Sequence, residues 1–188
     1  MMLKRIKPDQ KGFTLIELLI AIPIAALVML AASGALMQLV QSGNASANMA
    51  AIRQAQASGF WVSRDALQTR PEDVQIGPSA ADPYEMCSFT WLDYNSGNAL
   101  VVYEVVYSLP PMSSSGTLRE LRRQQTRGDE SPTTIVVATN LVIADNATTL
   151  SWTDSYARTS LRFQVTSRVG QKTCVRTYQV TPRPEDES

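Results

Sequence analysis

The chain has 188 residues, enough for one domain or for a domain with an appendage, and its 17 basic residues equal its 17 acidic ones. It contains no histidine, which excludes imidazole as a general base or metal ligand. There is no nucleophile elbow, no phosphate-binding glycine loop and no acidic pair with the spacing of a calcium loop. We therefore predict no catalytic residue, no metal site, no cofactor and no enzymatic activity.

Basic residues at the start of the chain precede a long uncharged segment. Four of them lie at positions 4, 5, 7 and 11, opposed only by Asp9, whereas from position 13 onward 13 basic residues face 16 acidic ones. Residues 18–52 carry no charge. Because a basic flank is retained in the cytoplasm, we expect a cytoplasmic N-terminus and an extracytoplasmic remainder.

Residues 18–37 form an apolar run that can cross a membrane. At about 1.5 Å per helical residue the run covers the ~30 Å hydrocarbon core, and it is too long for an ordinary secretory signal. A plain transmembrane anchor accounts for the run but not for Glu17, because a carboxylate near the head of a spanning helix is costly. Pro23, inside the run, predicts a kink or local unwinding.

The segment that joins the basic residues to the apolar run is Gly12-Phe13-Thr14-Leu15-Ile16-Glu17. It resembles the signature of type IV prepilins and of the pseudopilins of type II secretion. The resemblance implies that a prepilin peptidase cuts between Gly12 and Phe13 and methylates Phe13. It also implies that Glu17 acts in assembly by pairing with the N-terminal amine of a neighbouring subunit, an attraction that a low-dielectric helix bundle strengthens.

This resemblance also implies the partners and the location of the protein. The partners are a prepilin peptidase, other pilin or pseudopilin subunits, an inner-membrane assembly platform and, before assembly, membrane lipid. The protein would be a single-pass membrane protein that enters a pilus or pseudopilus. Residues 1–12 would then be a cleaved leader, and residues 13–40 the transmembrane and filament-core helix.

The helix is predicted to continue to about residue 69, ending before Pro71, with residues 41–70 packed on the following domain. Small or apolar residues recur there at steps of three and four: Ile52, Ala55, Gly59, Val62 and Ala66. Three larger residues are expected to widen this buried face: Phe60, Trp61 and Leu67.

Residues 71–181 predict a β-rich extracytoplasmic domain, which we call the head. Residues 71–85, with three prolines and four acids, predict a loop. Seven strands are predicted, at 87–94, 99–109, 117–124, 133–143, 148–153, 160–169 and 173–180. Residues 95–98 and 170–171 predict tight turns, and the acidic residues 182–188 a flexible tail. The fold class is α+β, with a long N-terminal helix on one antiparallel sheet or two small ones.

A second resemblance concerns the end of the helix, which carries Trp61-Val62-Ser63-Arg64-Asp65. This segment and the size of the head are similar to those of larger minor pilins and J-type minor pseudopilins, which implies a low-copy subunit at or near a filament tip. Many major pilins have paired C-terminal cysteines, whereas Cys87 lies mid-chain. In an exported domain Cys87 and Cys174 could form a disulfide, and two separately buried thiols are the alternative.

The head has a single cationic cluster, formed by Arg119, Arg122, Arg123 and Arg127. Such a cluster could hold DNA phosphates, but acids are interleaved with it and no aromatic platform lies nearby, so nucleic-acid binding is not expected. Three functions remain open. They are a structural, minor subunit of a type IV pilus or type II secretion pseudopilus, a tip subunit that binds DNA or a surface ligand, and a membrane-anchored domain that does not polymerise.

Overall fold

A computed structural model describes residues 14–94, 97–113, 115–154 and 156–184. The predicted leader, both processing positions, half of the predicted turn at 95–98 and residues 185–188 of the predicted tail lie outside the described residues. The chain divides into two compact units, residues 1–44 and 45–188, which we describe separately.

The first unit contains most of the apolar part of helix α1, which runs from Leu15 to Ala66. The helix continues without a break through Pro23, so the predicted local unwinding is absent. Its large apolar side chains between Leu15 and Val40 are 56% to 83% exposed. This helix is long and apolar enough to cross a membrane. A helix that is apolar on all sides and uncovered by its own chain requires lipid or other helices around it.

In the second unit, the described residues combine the end of α1 with one antiparallel sheet of nine strands. The strands are β1 Val74–Ile76, β2 Glu85–Tyr94, β3 Leu100–Ser108, β4 Pro111–Met112, β5 Ser115–Arg127, β6 Thr133–Val142, β7 Thr149–Trp152, β8 Leu161–Val169 and β9 Lys172–Val180. Their order is β1-β2-β3-β5-β6-β8-β7, with β4 beside β5 and β9 beside β8. The predicted α+β fold, a long N-terminal helix followed by an antiparallel sheet, is confirmed.

All seven predicted strands are present, but the prediction of a plain loop over residues 71–85 is wrong. A 3₁₀ turn, Pro71–Asp73, leads into β1, whose residues pair with β2 from Val74 opposite Phe89 to Ile76 opposite Cys87. Strand β4 was also not predicted. Both strands are too short to display an alternating pattern, so only their pairing partners define them.

One face of α1 covers the sheet in the second unit. Its buried residues are Ala51, Ala55, Ser58, Gly59, Val62, Asp65 and Ala66. Gly59 is required by a close approach, because a Cβ there would fall 2.1 Å from the ring of Tyr178, whose hydroxyl donates to the carbonyl of Ala55 at 3.2 Å. The expectation that Phe60 and Leu67 widen the buried face is wrong, since they are 61% and 57% exposed.

Candidate processing and assembly site

The first described residues form a capping box at the start of α1. The backbone N–H and the hydroxyl of Thr14 each donate to Oε2 of Glu17 at 2.9 Å, and the Glu17 N–H donates to the Thr14 hydroxyl at 3.3 Å. These bonds satisfy N–H groups that a helix start leaves without intrahelical partners. The pattern Thr14-x-x-Glu17 is a recognisable capping signal, so the sequence could have predicted this second role of Glu17.

The capping box leaves part of the Glu17 carboxylate available. The side chain is exposed, and among the residues that the structure describes its Oε1 has no hydrogen-bond partner. It lies beside exposed Leu15, Ile16 and Leu18 at the head of the apolar helix. A carboxylate in such surroundings favours a cationic partner once lipid or neighbouring helices exclude water. Gly12 and Phe13, the predicted cleavage and methylation positions, lie outside the described residues.

A buried ion pair ties the other end of α1 to the sheet. Asp65, 2% exposed, accepts hydrogen bonds from the hydroxyl of Tyr107 at 2.5 Å and from Nε and Nη2 of Arg123 at 2.7 and 3.1 Å. Tyr107 lies on β3 and Arg123 on β5, in register with each other. Nη1 of Arg123 donates to the side chain of Gln125 at 2.8 Å. The cluster therefore joins three elements of the second unit through groups that satisfy one another.

The motif Trp61-Val62-Ser63-Arg64-Asp65 has a structural meaning in this cluster. The Arg123 guanidinium lies 5.0 Å from the centre of the Trp61 ring, and the Arg64 guanidinium lies 5.5 Å from it. Trp61 and Asp65 are one helical turn apart, so both contact the same arginine. Sequence reasoning singled out the motif but missed its partners, which lie 42 and 58 residues away from Asp65.

Burial shifts the acidity of two groups near this cluster. Burial raises the pKa of the Tyr107 hydroxyl far above its usual range, and the neighbouring Asp65 charge raises it further. Burial likewise raises the pKa of the Cys87 thiol, with smaller contributions from Glu85 and Asp65. Both groups therefore stay neutral at physiological pH, which suits a structural role.

Comparison with known proteins bears on the start of the chain. A family model described as "Prokaryotic N-terminal methylation motif" matches residues 7–33, which include the capping box and most of the apolar run. The start of the chain therefore carries the motif of type IV prepilin- and pseudopilin-type proteins. No curated protein and no solved structure matches it. The motif implies processing by prepilin peptidase and assembly with other pilin subunits, and the apolar helix fits a membrane-anchored pilin.

The four arginines of the predicted cationic cluster do not form one surface of the sheet. Arg123 is buried against Asp65, whereas Arg122, next along the strand, pairs with Glu120. Arg127 lies over Tyr103 and 3.6 Å from Glu130, and the Arg119 guanidinium lies over Tyr84. Alternation along β5 points neighbouring arginines to opposite faces of the sheet. The four arginines are therefore close together in the sequence but do not form one basic patch.

The two cysteines are free thiols in the structure. Cys87 on β2 is buried in the core, and Cys174 on β9 is half-buried against it. This arrangement corresponds to the alternative of two separate thiols. A bond between them stays an untested prediction.

Proposed function

We propose that this chain is a structural, minor subunit of a type IV pilus or of a type II secretion pseudopilus. A prepilin peptidase would cut between Gly12 and Phe13 and methylate Phe13. The mature subunit would then pass from the inner membrane into the filament through α1, with the aid of an inner-membrane assembly platform and with its head outside the cytoplasm. The observation that carries the proposal is the half-satisfied Glu17 carboxylate at the head of an uncovered apolar helix.

The Glu17 carboxylate is costly in a membrane unless it is paired. In a membrane a charged side chain costs about 2.5–3.5 kcal/mol at the centre of a spanning helix, and less toward the interface. Oε2 of Glu17 is already occupied by the Thr14 cap, so a neighbouring subunit's amine can approach Oε1 without breaking the cap. Pairing there would remove the penalty from both charges and fix the axial register of adjacent subunits.

The minor role is supported by the second unit. The Trp61–Asp65 segment, similar to that of minor pilins, is held in a specific cluster with Tyr107 and Arg123. The free Cys87 and Cys174 differ from the paired C-terminal cysteines of many major pilins. The same features suit a tip position, but the arginines of β5 offer no shared surface for DNA.

Mass spectrometry of the mature protein tests processing. A methylated start at Phe13 is the expected result, and an intact Met1 start in cells that contain active prepilin peptidase would refute cleavage.

Assembly is tested separately, with Glu17→Ala in a filament-forming host. The variant should reach the membrane, be cleaved, and be absent from sheared filaments, because its amine partner is left unpaired. Glu104→Ala, which removes an exposed carboxylate from β3, is the matched control and should be incorporated normally. Normal incorporation of Glu17→Ala would overturn the assembly role and favour a membrane-anchored domain that does not polymerise.

A further inference from the structure

The last strand of the sheet leaves one edge open. Strand β9 pairs with β8 along its full length, from Val180 opposite Leu161 to Lys172 opposite Val169. Among the described residues it has no strand on its other side. An edge of this kind presents unpaired N–H and C=O groups to any extended chain that fits beside it. At nine residues, β9 is long enough to accept a whole strand.

A groove of about 850 Å³ runs along this open edge. Three consecutive residues of β9 line it: Arg176, Thr177 and Tyr178. Side chains alternate between the two faces of a strand, so consecutive residues meet in one groove only at the edge. The opposite wall is a face of α1, which includes Phe60, Arg64 and Leu67. The helix therefore extends beyond the last strand of the sheet.

The helix wall of the groove includes two large apolar side chains that are exposed. Phe60 and Leu67 are 61% and 57% exposed, whereas Val62 and Ala66, on the face above the sheet, are buried. Both sets of residues belong to the same helix, and the difference is that none of the described strands lies beneath Phe60 and Leu67. A further strand beside β9 would cover these two side chains as the existing strands cover the buried face.

The charges of the groove restrict which side chains a docked strand can have. Arg64 and Arg176 line the groove, and no Asp or Glu is among its lining residues. Arg64 lies over the Trp61 ring, and Arg176 has no hydrogen bond or ion pair within the described part of the chain. An acidic side chain between two apolar ones would therefore complement the groove. Two-fold pairing of β9 with β9 of a second copy would instead bring like charges together.

We infer that the groove between α1 and β9 is a docking site for an extended segment of another protein that carries an acidic side chain between apolar ones. The segment adds as a further strand beside β9. Its apolar side chains contact Phe60 and Leu67, and its carboxylate pairs with Arg64 and Arg176. This recognition concerns the second unit and holds whether or not Glu17 has the proposed role in assembly.

A short peptide tests the inference with the full chain in nanodiscs. The probe is a fluorescent, end-blocked Thr-Val-Thr-Glu-Thr-Val-Thr, in which both valines and the glutamate share one face of a strand. Saturable binding, followed by fluorescence anisotropy, is the expected result. A peptide with lysine in place of glutamate should bind about tenfold more weakly, and a peptide N-methylated at alternate residues should not bind.

A charge-reversal variant distinguishes specific docking from nonspecific binding of the peptide. Arg176→Glu should lower the affinity for the glutamate peptide about tenfold and raise the affinity for the lysine peptide by a similar factor. Arg162→Glu, on the neighbouring strand β8 and outside the groove, should alter neither affinity. Phe60→Ser should lower the affinity for both peptides. Because Phe60 is exposed, the variant should keep the wild-type unfolding temperature.

Several results would overturn the inference. Equal affinity for the glutamate and lysine peptides would remove the charge argument, and binding of the N-methylated peptide would exclude strand addition. Absence of saturable binding would show that the groove does not accept a strand of this chemistry. If the chain forms concentration-dependent dimers and Arg176→Glu abolishes them, the occupant of the groove is a second copy of this chain and not a segment of another protein.

Discussion

Replacement of Asp65 by alanine is expected to destabilise the second unit more than any change on the surface of its sheet. The substitution removes the acceptor of three hydrogen bonds and leaves Arg123, 7% exposed, as a buried charge without its counter-ion. Removing one partner of a buried ion pair costs about 3–5 kcal/mol. Domains of this size are stable by only about 5–15 kcal/mol, so the loss is a large fraction of the total.

Urea unfolding of the full chain in detergent measures this cost. Trp61 lies under the Arg123 guanidinium, so its fluorescence should report the opening of the cluster. Glu104→Ala, an exposed carboxylate on the same sheet, is the control and should change the unfolding free energy by less than about 0.5 kcal/mol. A similarly small effect of Asp65→Ala would refute the idea that the ion pair holds α1 on the sheet.

A double variant tests the same ion pair by replacing both of its partners. Asp65→Leu combined with Arg123→Met replaces both charges by apolar groups, and such replacements are often neutral or stabilising. The double variant should therefore recover most of the stability lost in Asp65→Ala. If Asp65→Ala and Arg123→Ala are additive within about 0.5 kcal/mol, the two side chains are not coupled, contrary to the geometry.

Three further measurements address the packing and titration of the same unit. Gly59→Ala should destabilise it by about 1–3 kcal/mol in urea unfolding, because the Tyr178 ring must move, and an unchanged midpoint would show that the helix shifts freely. The raised pKa of Tyr107 keeps the folded hydroxyl neutral where an unfolded tyrosine ionises, so the contribution of Tyr107 to stability should be constant below pH ~10 and fall above it. Tyr107→Phe should flatten this fall in unfolding temperature, and an identical fall in the variant would contradict the assignment. Iodoacetamide should label half-buried Cys174 before buried Cys87 in the native protein, and resistance of both to labelling after unfolding without reductant would show that they are bonded.

Most of the fold could be predicted because its signals are local. Strands β7 and most of β8 alternate apolar and polar residues. Turn residues such as Gly170, which adopts a positive φ of 58°, separate successive strands. Strands β1 and β4 could not be predicted, since three and two residues define no period. Their existence depends on neighbours far along the chain, β2 for one and β5 for the other.

Some candidate site residues are likewise predicted by a local motif, whereas the surroundings of others depend on the tertiary structure. Gly12, Phe13 and Glu17 are predicted by a motif of six consecutive residues, with no tertiary contact needed. Arg123 was placed in an exposed cluster because its sequence neighbours are charged, yet the alternation of β5 turns it inward toward Asp65. Phe60 was placed in the core because it is apolar and at helical spacing. Its exposure follows from the position of the sheet edge, which no local pattern encodes.

Helix α1 contains only two acidic residues, and their surroundings are opposite. Both oxygens of Asp65 are occupied by Tyr107 and Arg123 of its own chain, so this carboxylate has no capacity for an outside partner. Among the described residues Glu17 is engaged through one oxygen only, by Thr14, at the head of a helix whose large apolar side chains are exposed. An apolar environment cannot solvate that charge, so it favours a counter-ion, which the proposed assembly takes from a neighbouring subunit. Asp65→Ala should therefore weaken the folding of the second unit in a purified chain. Glu17→Ala should leave the unfolding of the second unit unchanged, because it alters only the cap at the start of α1 and the formation of filaments.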